Sequence, residues 1–342
     1  MQVTRPSTSS KSKPFLLAPA AKDYLWGGNR LNDEFEKNIA LSPLAETWEC
    51  STHPDGPSMI VSGKYSGRSL SEVLSENPDF LGKHPLENCV DEKAELPILI
   101  KFIDANKDLS VQVHPDDDYA YIHENGQRGK TEMWYVLDAA KDANLVYGLQ
   151  FDMTKDEIRE QIEKGNLDTY LQRIPVQKDD VFFINAGTIH AIGAGALIAE
   201  IQENSNLTYR LYDYDRTDKN GNKRQLHIDK ALEVSNLTGN NRPRQSMRVL
   251  RYKKGCATEM IGRCKYFEVY RVLLNTERCR SCVDYCADDT SFRVLLCVSG
   301  CGCITMDDGD IINFFKGDCI FVPAGSINMK LHGRAQLLDI RC

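Results

Sequence analysis

Asp180-Val-Phe-Phe-Ile-Asn-Ala-Gly-Thr-Ile-His190 returns without a gap as Asp318-Cys-Ile-Phe-Val-Pro-Ala-Gly-Ser-Ile-Asn328. In each copy an acidic turn residue opens a β-branched apolar run, and Ala-Gly then bends the chain sharply before another strand begins. The sequence around the two copies has the same texture. Short apolar runs at 97–102, 133–137, 181–184 and 292–298 are broken by Gly, Pro, Asn and Asp. Many short strands with frequent turns predict barrels or sandwiches rather than a parallel sheet. Helices are few. Ser69-Leu-Ser-Glu72 is a capping box whose helix Pro78 limits, and Thr154-Lys-Asp-Glu157 is a second, followed by Ile158 and Ile162 at helical spacing and stopped near Gly165. A third helix is expected over 229–234.

The repeated segment resembles the second motif of the cupin family, small double-stranded β-helix barrels. The first copy keeps the family's metal-binding His at its last position, and the second has Asn328 there. The resemblance implies an all-β-dominated bicupin of two jelly-roll barrels, only the first of them metal-competent. The expected division is a disordered lead-in over 1–14, a metal-binding unit over 15–240 with a small helical insertion at about 154–172, and a degenerate second barrel over 241–342. Thr238-Gly-Asn-Asn-Arg-Pro-Arg244 has the composition of a linker at that boundary.

Composition narrows the partners. With 342 residues and a formal charge of −7, the chain has no basic footprint for nucleic acid or anionic membrane. No apolar run reaches the roughly 18 residues of a spanning helix. The first residues lack the apolar stretch of a signal peptide, so a cytoplasmic location is expected. Ten of the twelve cysteines lie from Cys256 onward, including Cys279-x-x-Cys282, Cys286 and Cys301-x-Cys303. One pair has zinc-ligand spacing but no His completes a set, and disulfides lack a secretory context. Reduced thiols serving as small strand residues are expected.

Gln112-Val-His114-Pro, Lys130-Thr-Glu132 and His190 supply an amide, two imidazoles and a carboxylate. Gln112 and His114 are two apart on an expected strand, which turns both to one face, and Lys130 and Glu132 share that relation. Such donors suit zinc and also accept iron, nickel, manganese or cobalt; two imidazoles rather than three, with a neutral amide, favour one zinc per chain. A position left open to substrate would make the ion catalytic rather than structural. Taken singly, a His before Pro is more often a structural residue. His53 is a further candidate to line the pocket, whereas His84, His123, His227 and His332 are expected in solvent.

At these residues the chain resembles type I mannose-6-phosphate isomerases in their shorter bacterial form. Matching segments are Tyr24-Leu-Trp-Gly-Gly, Ala45-Glu-Thr-Trp-Glu, Leu96-Pro-Ile-Leu-Ile-Lys101, Leu109-Ser-Val-Gln-Val-His-Pro-Asp, Gly129-Lys-Thr-Glu132-Met-Trp and Ala186-Gly-Thr-Ile-His-Ala-Ile. The resemblance implies zinc on Gln112, His114, Glu132 and His190, a catalytic Arg at Arg210 and a catalytic carboxylate at Glu200. After Arg210 this chain reads Leu-Tyr-Asp-Tyr-Asp-Arg216, where longer members have a Thr-Pro-Lys segment that supplies a phosphate-binding Lys. Arg216 or Lys130 would take that contact. The implied substrate is a small sugar phosphate, handled by a monomer or homodimer.

Aldose–ketose interconversion moves a proton between adjacent carbons through an enediol while charge builds on their oxygens. Glu200 suits the proton because Leu197, Ala199 and Ile201 take the opposite face of its run. Positions 200 and 210 are symmetric about Ser205, so a hairpin would set Glu200 opposite Arg210. Spacing alone equally allows Arg210 an ordinary salt bridge to Asp213 or Asp215. Lys101 ends an apolar run and is expected at the substrate pocket, with Ser110, of the same strand parity as Gln112, as a weaker substrate contact or simple filler. Two other classes use such a barrel: a metal-dependent dioxygenase, disfavoured by the amide donor, and a non-catalytic sugar-binding bicupin.

Overall fold

The computed structural model describes residues 11–87, 95–217, 221–240, 242–243 and 248–342. Residues 1–10 of the expected lead-in, and 241 and 244 of the expected linker, lie outside them. The described residues are mostly β, in three sheets. A six-stranded sheet runs in the order Val181–Ile184, Glu132–Ala139, Ala196–Glu203, Ile98–Asp104, Glu46–Cys50, Ala20–Lys22. A five-stranded sheet runs Tyr209–Tyr212, Val111–Val113, His190–Ile192, Asn144–Leu149, Leu171–Pro175. The third sheet has ten strands and gathers the C-terminal part of the chain, joined by the N-terminal strand Phe15–Ala18, which pairs with Cys319–Val322. Just before that strand, Ser12 bridges Ser326, and Lys13 lies 2.5 Å from Asp308.

Both faces of the central strands are covered, which explains why their sequences read as continuous apolar runs. Every residue of Ile98–Asp104 is buried. Ile98, Ile100 and Phe102 belong to the core that faces the ten-stranded sheet, beside Val294, Leu296 and Ile340. Ile103 points the other way, into a core with Trp134, Ile198, Leu145 and Ile192 that joins the six- and five-stranded sheets. The outer face of the five-stranded sheet is closed by the helices Lys155–Glu163 and Ile228–Val234, which contribute Ile158, Ile162, Ala231 and Leu232. Each fully buried aliphatic or aromatic side chain of this kind stabilises the fold by about 1.5–3 kcal/mol.

The repeat is structural as well as textual. Val181–Ile184 and Cys319–Val322 occupy the same positions of the two copies. Asp180 accepts from the Gln177 N–H at 3.0 Å and Asp318 from the Phe315 N–H at 2.8 Å, the same three-residue turn. Gly187 and Gly325 follow at equal offsets, both with positive φ, 84° and 64°. Only glycine adopts that conformation without steric cost.

Both expected capping boxes form, at Leu70–Glu76 and Lys155–Glu163, and the third expected helix spans Ile228–Val234. The helix Lys155–Glu163 lies between two strands that pair with each other, Asn144–Leu149 and Leu171–Pro175. Some expectations fail. The helix Asp117–His123 was not anticipated, although Asp116 caps it by accepting from the Tyr119 N–H at 2.9 Å. The run 292–298 continues as one 14-residue strand, Arg293–Met306. The hairpin about Ser205 does not exist. Ala196–Glu203 and Tyr209–Tyr212 belong to different sheets, and in the crossover between them the Gln202 amide donates to the Glu203 and Ser205 carbonyls.

Phe102→Ala removes a ring from the interface of the first and third sheets, and the unfolding free energy from urea titration should fall by about 3–5 kcal/mol. A loss below about 1 kcal/mol would show that this core is not shared between the sheets.

Candidate metal and active site

Strand register builds the site from two facing rows. In the six-stranded sheet Trp48, Lys101, Glu200, Trp134 and Phe182 are direct cross-strand neighbours, so all project from one face. In the five-stranded sheet Arg210, Gln112, His190 and Tyr147 form the matching row. Trp134, Phe182 and Tyr147 meet in the shared core and fix the spacing of the rows. Glu132 is two residues before Trp134 and faces the same way. The strand expected to carry both Gln112 and His114 ends at Val113. His114 lies one step beyond, and its carbonyl accepts from the Gly187 N–H at 2.9 Å. The bend of the repeat therefore positions both imidazoles.

His114, Glu132 and His190 are fully buried, and their ligand atoms all lie within 4.8 Å of one another. The imidazole centroids are 4.7 Å apart. His114 Nε2 is 3.2 Å and His190 Nε2 3.8 Å from the Glu132 oxygens, and the Gln112 amide reaches His190 Nε2 at 3.4 Å. His190 Nδ1 lies 2.8 Å from the Thr188 carbonyl, which, with Nδ1 donating, aims the Nε2 lone pair at the cluster. Burial, with the Lys130 charge adding to it, pushes the His114 pKa down to about 3, and burial lowers His190 as well. Both rings are therefore neutral, the form that binds metals.

These residues fit a divalent cation. Glu132 Oε2 is buried without a hydrogen-bond partner, and Nε2 of both imidazoles faces the carboxylate. Lys130 Nζ lies 2.5 Å from Glu132 Oε1 and forms a buried ion pair with it. Burial would raise the Glu132 pKa, but Lys130, His114 and His190 together outweigh it and hold the carboxyl well below its usual range.

Beside this cluster is an acid–base pair. Glu200 Oε1 lies 3.0 Å from Lys101 Nζ, and Oε2 accepts from Trp134 Nε1 at 2.8 Å. Burial, then the nearby Glu132 charge, raises the Glu200 pKa. Burial opposes the charge on Lys101, but Glu200, Glu46 and Glu132 together hold its pKa above the usual lysine value. Trp48 supports the ammonium from its ring face at 5.2 Å, and its Nε1 donates to Glu46 at 2.8 Å. His53 is half-buried against the edge of Trp48, 5.7 Å between rings.

Arg210 ends the row of the five-stranded sheet, next to Gln112. Its Nε donates to Ser110 Oγ at 3.2 Å and its Nη1 to the Gln225 carbonyl at 2.8 Å. The salt bridge to Asp213 or Asp215 that spacing allowed does not form. Arg216 and Arg224 both pair with Asp213 instead, the latter at 2.5 Å, and Lys223 takes Asp215 at 2.7 Å. One carboxylate thus serves two guanidiniums next to a third cation. Burial lowers the Arg210 pKa, and Arg224 lowers it further. Lys130, the other expected phosphate contact, lies 3.3 Å from His114 Nε2 at the cluster end.

His227 was expected in solvent, yet it is half-buried and its Nδ1 accepts from the Arg210 N–H at 3.2 Å. Trp134, Trp48, Glu46 and Arg224 were not singled out from sequence. Trp134 had a usable signal, two positions after Glu132 on the same strand. Arg224 had none, since it lies in the polar stretch after 220. Cavities of about 680, 920 and 540 Å³ lie elsewhere in the chain; here Lys101 and Lys130 fold down onto Glu200 and Glu132.

Residues 15–149 match the family described as phosphomannose isomerase type I, catalytic domain. Over 328 residues, 96% of this chain and 98% of the relative, the sequence is 37% identical to mannose-6-phosphate isomerase ManA of Bacillus subtilis. This chain belongs to the type I mannose-6-phosphate isomerase family. A probable mannose-6-phosphate isomerase of the same organism, GmuF, is 44% identical over 221 residues, 65% of this chain and 68% of that protein. The crystal structure of a B. subtilis mannose 6-phosphate isomerase superposes with a TM-score of 0.86 at 32% identity, covering 96% of this chain and 99% of that one. A zinc-bound mannose 6-phosphate isomerase shares the fold at a TM-score of 0.74 and 16% identity, covering 96% of this chain and 99% of that one.

Lys101→Met removes the cation that holds the Glu200 carboxyl down. The acid limb of the isomerase pH–rate profile should move to higher pH in that variant. An unmoved limb would separate Glu200 from the titration that governs turnover.

Proposed function

We propose that this chain interconverts mannose 6-phosphate and fructose 6-phosphate through an enediol, using one zinc ion held by Gln112, His114, Glu132 and His190. The observation that carries this reading is the pair of facing rows, which brings a buried carboxylate–ammonium pair and, from the end of the opposite row, a guanidinium toward a metal-competent cluster. Family membership sets aside the dioxygenase and the non-catalytic reading. The six- and five-stranded sheets would be the walls of a first cupin barrel, and the C-terminal strands a second, with the helices 154–172 inserted in the first.

When bound, the ion would act as a Lewis acid on the substrate's carbonyl and hydroxyl oxygens, a contribution of several kcal/mol to transition-state stabilisation. The rest falls to the chain. Glu200, its basicity raised by a dry setting, would take the proton from one carbon and return it to the next. Trp134 fixes one of its oxygens, leaving the other to exchange the proton. Lys101 is a protonated donor 3.0 Å away and would hydrogen-bond the oxygen on which charge develops.

Arg210 would clamp the substrate, its planar fork held at the correct angle by Ser110 and Gln225. Asp213 neutralises only one of its two arginines, so the end of the row nearest Arg210 carries surplus positive charge. That end suits the phosphate dianion. Arg216 is the proposed phosphate contact. Lys130 is better placed to support Glu132 and the sugar oxygens near the ion. A small sugar phosphate is the proposed partner of a chain working in the cytoplasm, as a monomer or homodimer.

Glu200→Gln should lower kcat by at least about 100-fold, the scale of lost general acid–base catalysis, with zinc content unchanged. His114→Ala should lose the metal itself, measured by elemental analysis, and chelation of the wild type should abolish a turnover that zinc restores. Full activity in Glu200→Gln would refute the base, and activity after complete metal removal would refute the whole reading.

A further inference from the structure

Where the first repeat ends on His190, the second ends on Asn328, which lines an open cavity of about 680 Å³ between C-terminal strands. No residue of the site above lines it. Its floor is apolar, formed by Val272, Leu295 and Leu331. Tyr270, Asp339 and Leu295 are cross-strand neighbours, so the tyrosine and the carboxylate face inward with the floor.

The wall is a built polar surface. Asp339 is buried, accepts from Arg293 Nη1 at 2.7 Å and from the Tyr285 hydroxyl at 3.0 Å. The Arg293 guanidinium stacks on the Tyr285 ring at 5.5 Å, and the Arg341 guanidinium on Tyr270 at 5.0 Å. Arg341 is in turn held by Glu268 at 2.6 Å. A carboxylate, a cation and an aromatic N–H or O–H donor thus recur in the second unit, as Glu200, Lys101 and Trp134 do in the first. Among the described residues that line the cavity there is no histidine, so the metal chemistry of the first unit has no counterpart here.

Charge decides the ligand class. Arg293 is matched by Asp339 and Arg341 by Glu268, and the lysines on the rim, Lys253 and Lys330, are matched in number by Asp284 and Asp307. A wall of paired charges offers adjacent donors and acceptors without a net positive field, which suits vicinal hydroxyls and not a phosphate. The two tyrosine rings supply flat apolar cover for the C–H face of such a molecule. A cavity of this size belongs to the range of small-molecule sites, about 300–1,000 Å³. We propose that the C-terminal unit is a second binding site, for a neutral polyhydroxylated ligand of hexose or hexitol size, which it holds without transforming.

Amide hydrogen exchange on the zinc-loaded full chain, read peptide by peptide with and without D-mannitol, tests this. At ten times the dissociation constant, exchange across Met329–Arg341 and Val283–Tyr285 should slow by about tenfold. Inorganic phosphate should give no slowing. Thr258 lines the cavity on the strand Cys256–Arg263, and Thr258→Phe, which fills the space, should abolish the protection with isomerase turnover unchanged. Tyr285→Phe removes only a hydroxyl and should weaken the protection, which keeps the test open if the bulkier variant does not fold. Protection confined to the first unit, protection by phosphate instead, or equal protection in both variants would overturn the proposal.

Discussion

A carboxylate buried between two neutral imidazoles is the constraint on which the structure turns. Taking Glu132 out of water costs several kcal/mol unless positive charge stands beside it. Lys130 supplies part of that charge, from two residues away on the same chain segment. The imidazoles supply none, because burial keeps them uncharged. A divalent cation would complete the balance, and the donors around Glu132 are of the types that such a cation takes. The proposed chemistry follows from the same balance, since a group that draws electron density from Glu132 also leaves Glu200 the stronger base of the two carboxylates.

Holding that charge cluster requires rigid support, and the sheets provide it. The two rows that carry the site residues are straight lines of cross-strand neighbours, locked from behind by apolar cores on both sides of each sheet. Register is therefore inseparable from function. A shift of one residue in Ala196–Glu203 would turn Glu200 into the core against the ten-stranded sheet and bring Ala199 or Ile201 to the site. The bend at Gly187 ties the two rows together, because it leads from the strand of Phe182 in one sheet to the strand of His190 in the other, and its N–H donates to the His114 carbonyl.

Much of this was legible in the sequence, for definite reasons. The repeat carried the turn chemistry of both units, down to the acidic residue that caps each turn and the glycine that bends it. Parity placed Glu200 opposite its apolar neighbours, and the donor types at Gln112, His114, Glu132 and His190 named a metal-like set. What failed was connection. Symmetry about Ser205 read as a hairpin, yet the chain crosses to the other sheet there, so Arg210 meets Gln112 instead of Glu200. The roles of Arg224 and Trp48 were not legible because they depend on partners distant in sequence, Asp213 eleven residues away and Lys101 more than fifty. His227 looked like a surface residue because nothing local shows that it receives the Arg210 amide.

The cysteine-rich C-terminal part offers a competing home for zinc, since thiolates bind it strongly, and the account places the ion elsewhere. X-ray absorption at the zinc edge of the purified protein decides between them. The account predicts a shell of nitrogen and oxygen at about 2.0–2.2 Å with the multiple scattering of two imidazoles. A sulfur shell at about 2.3 Å would put the metal among the cysteines and contradict it.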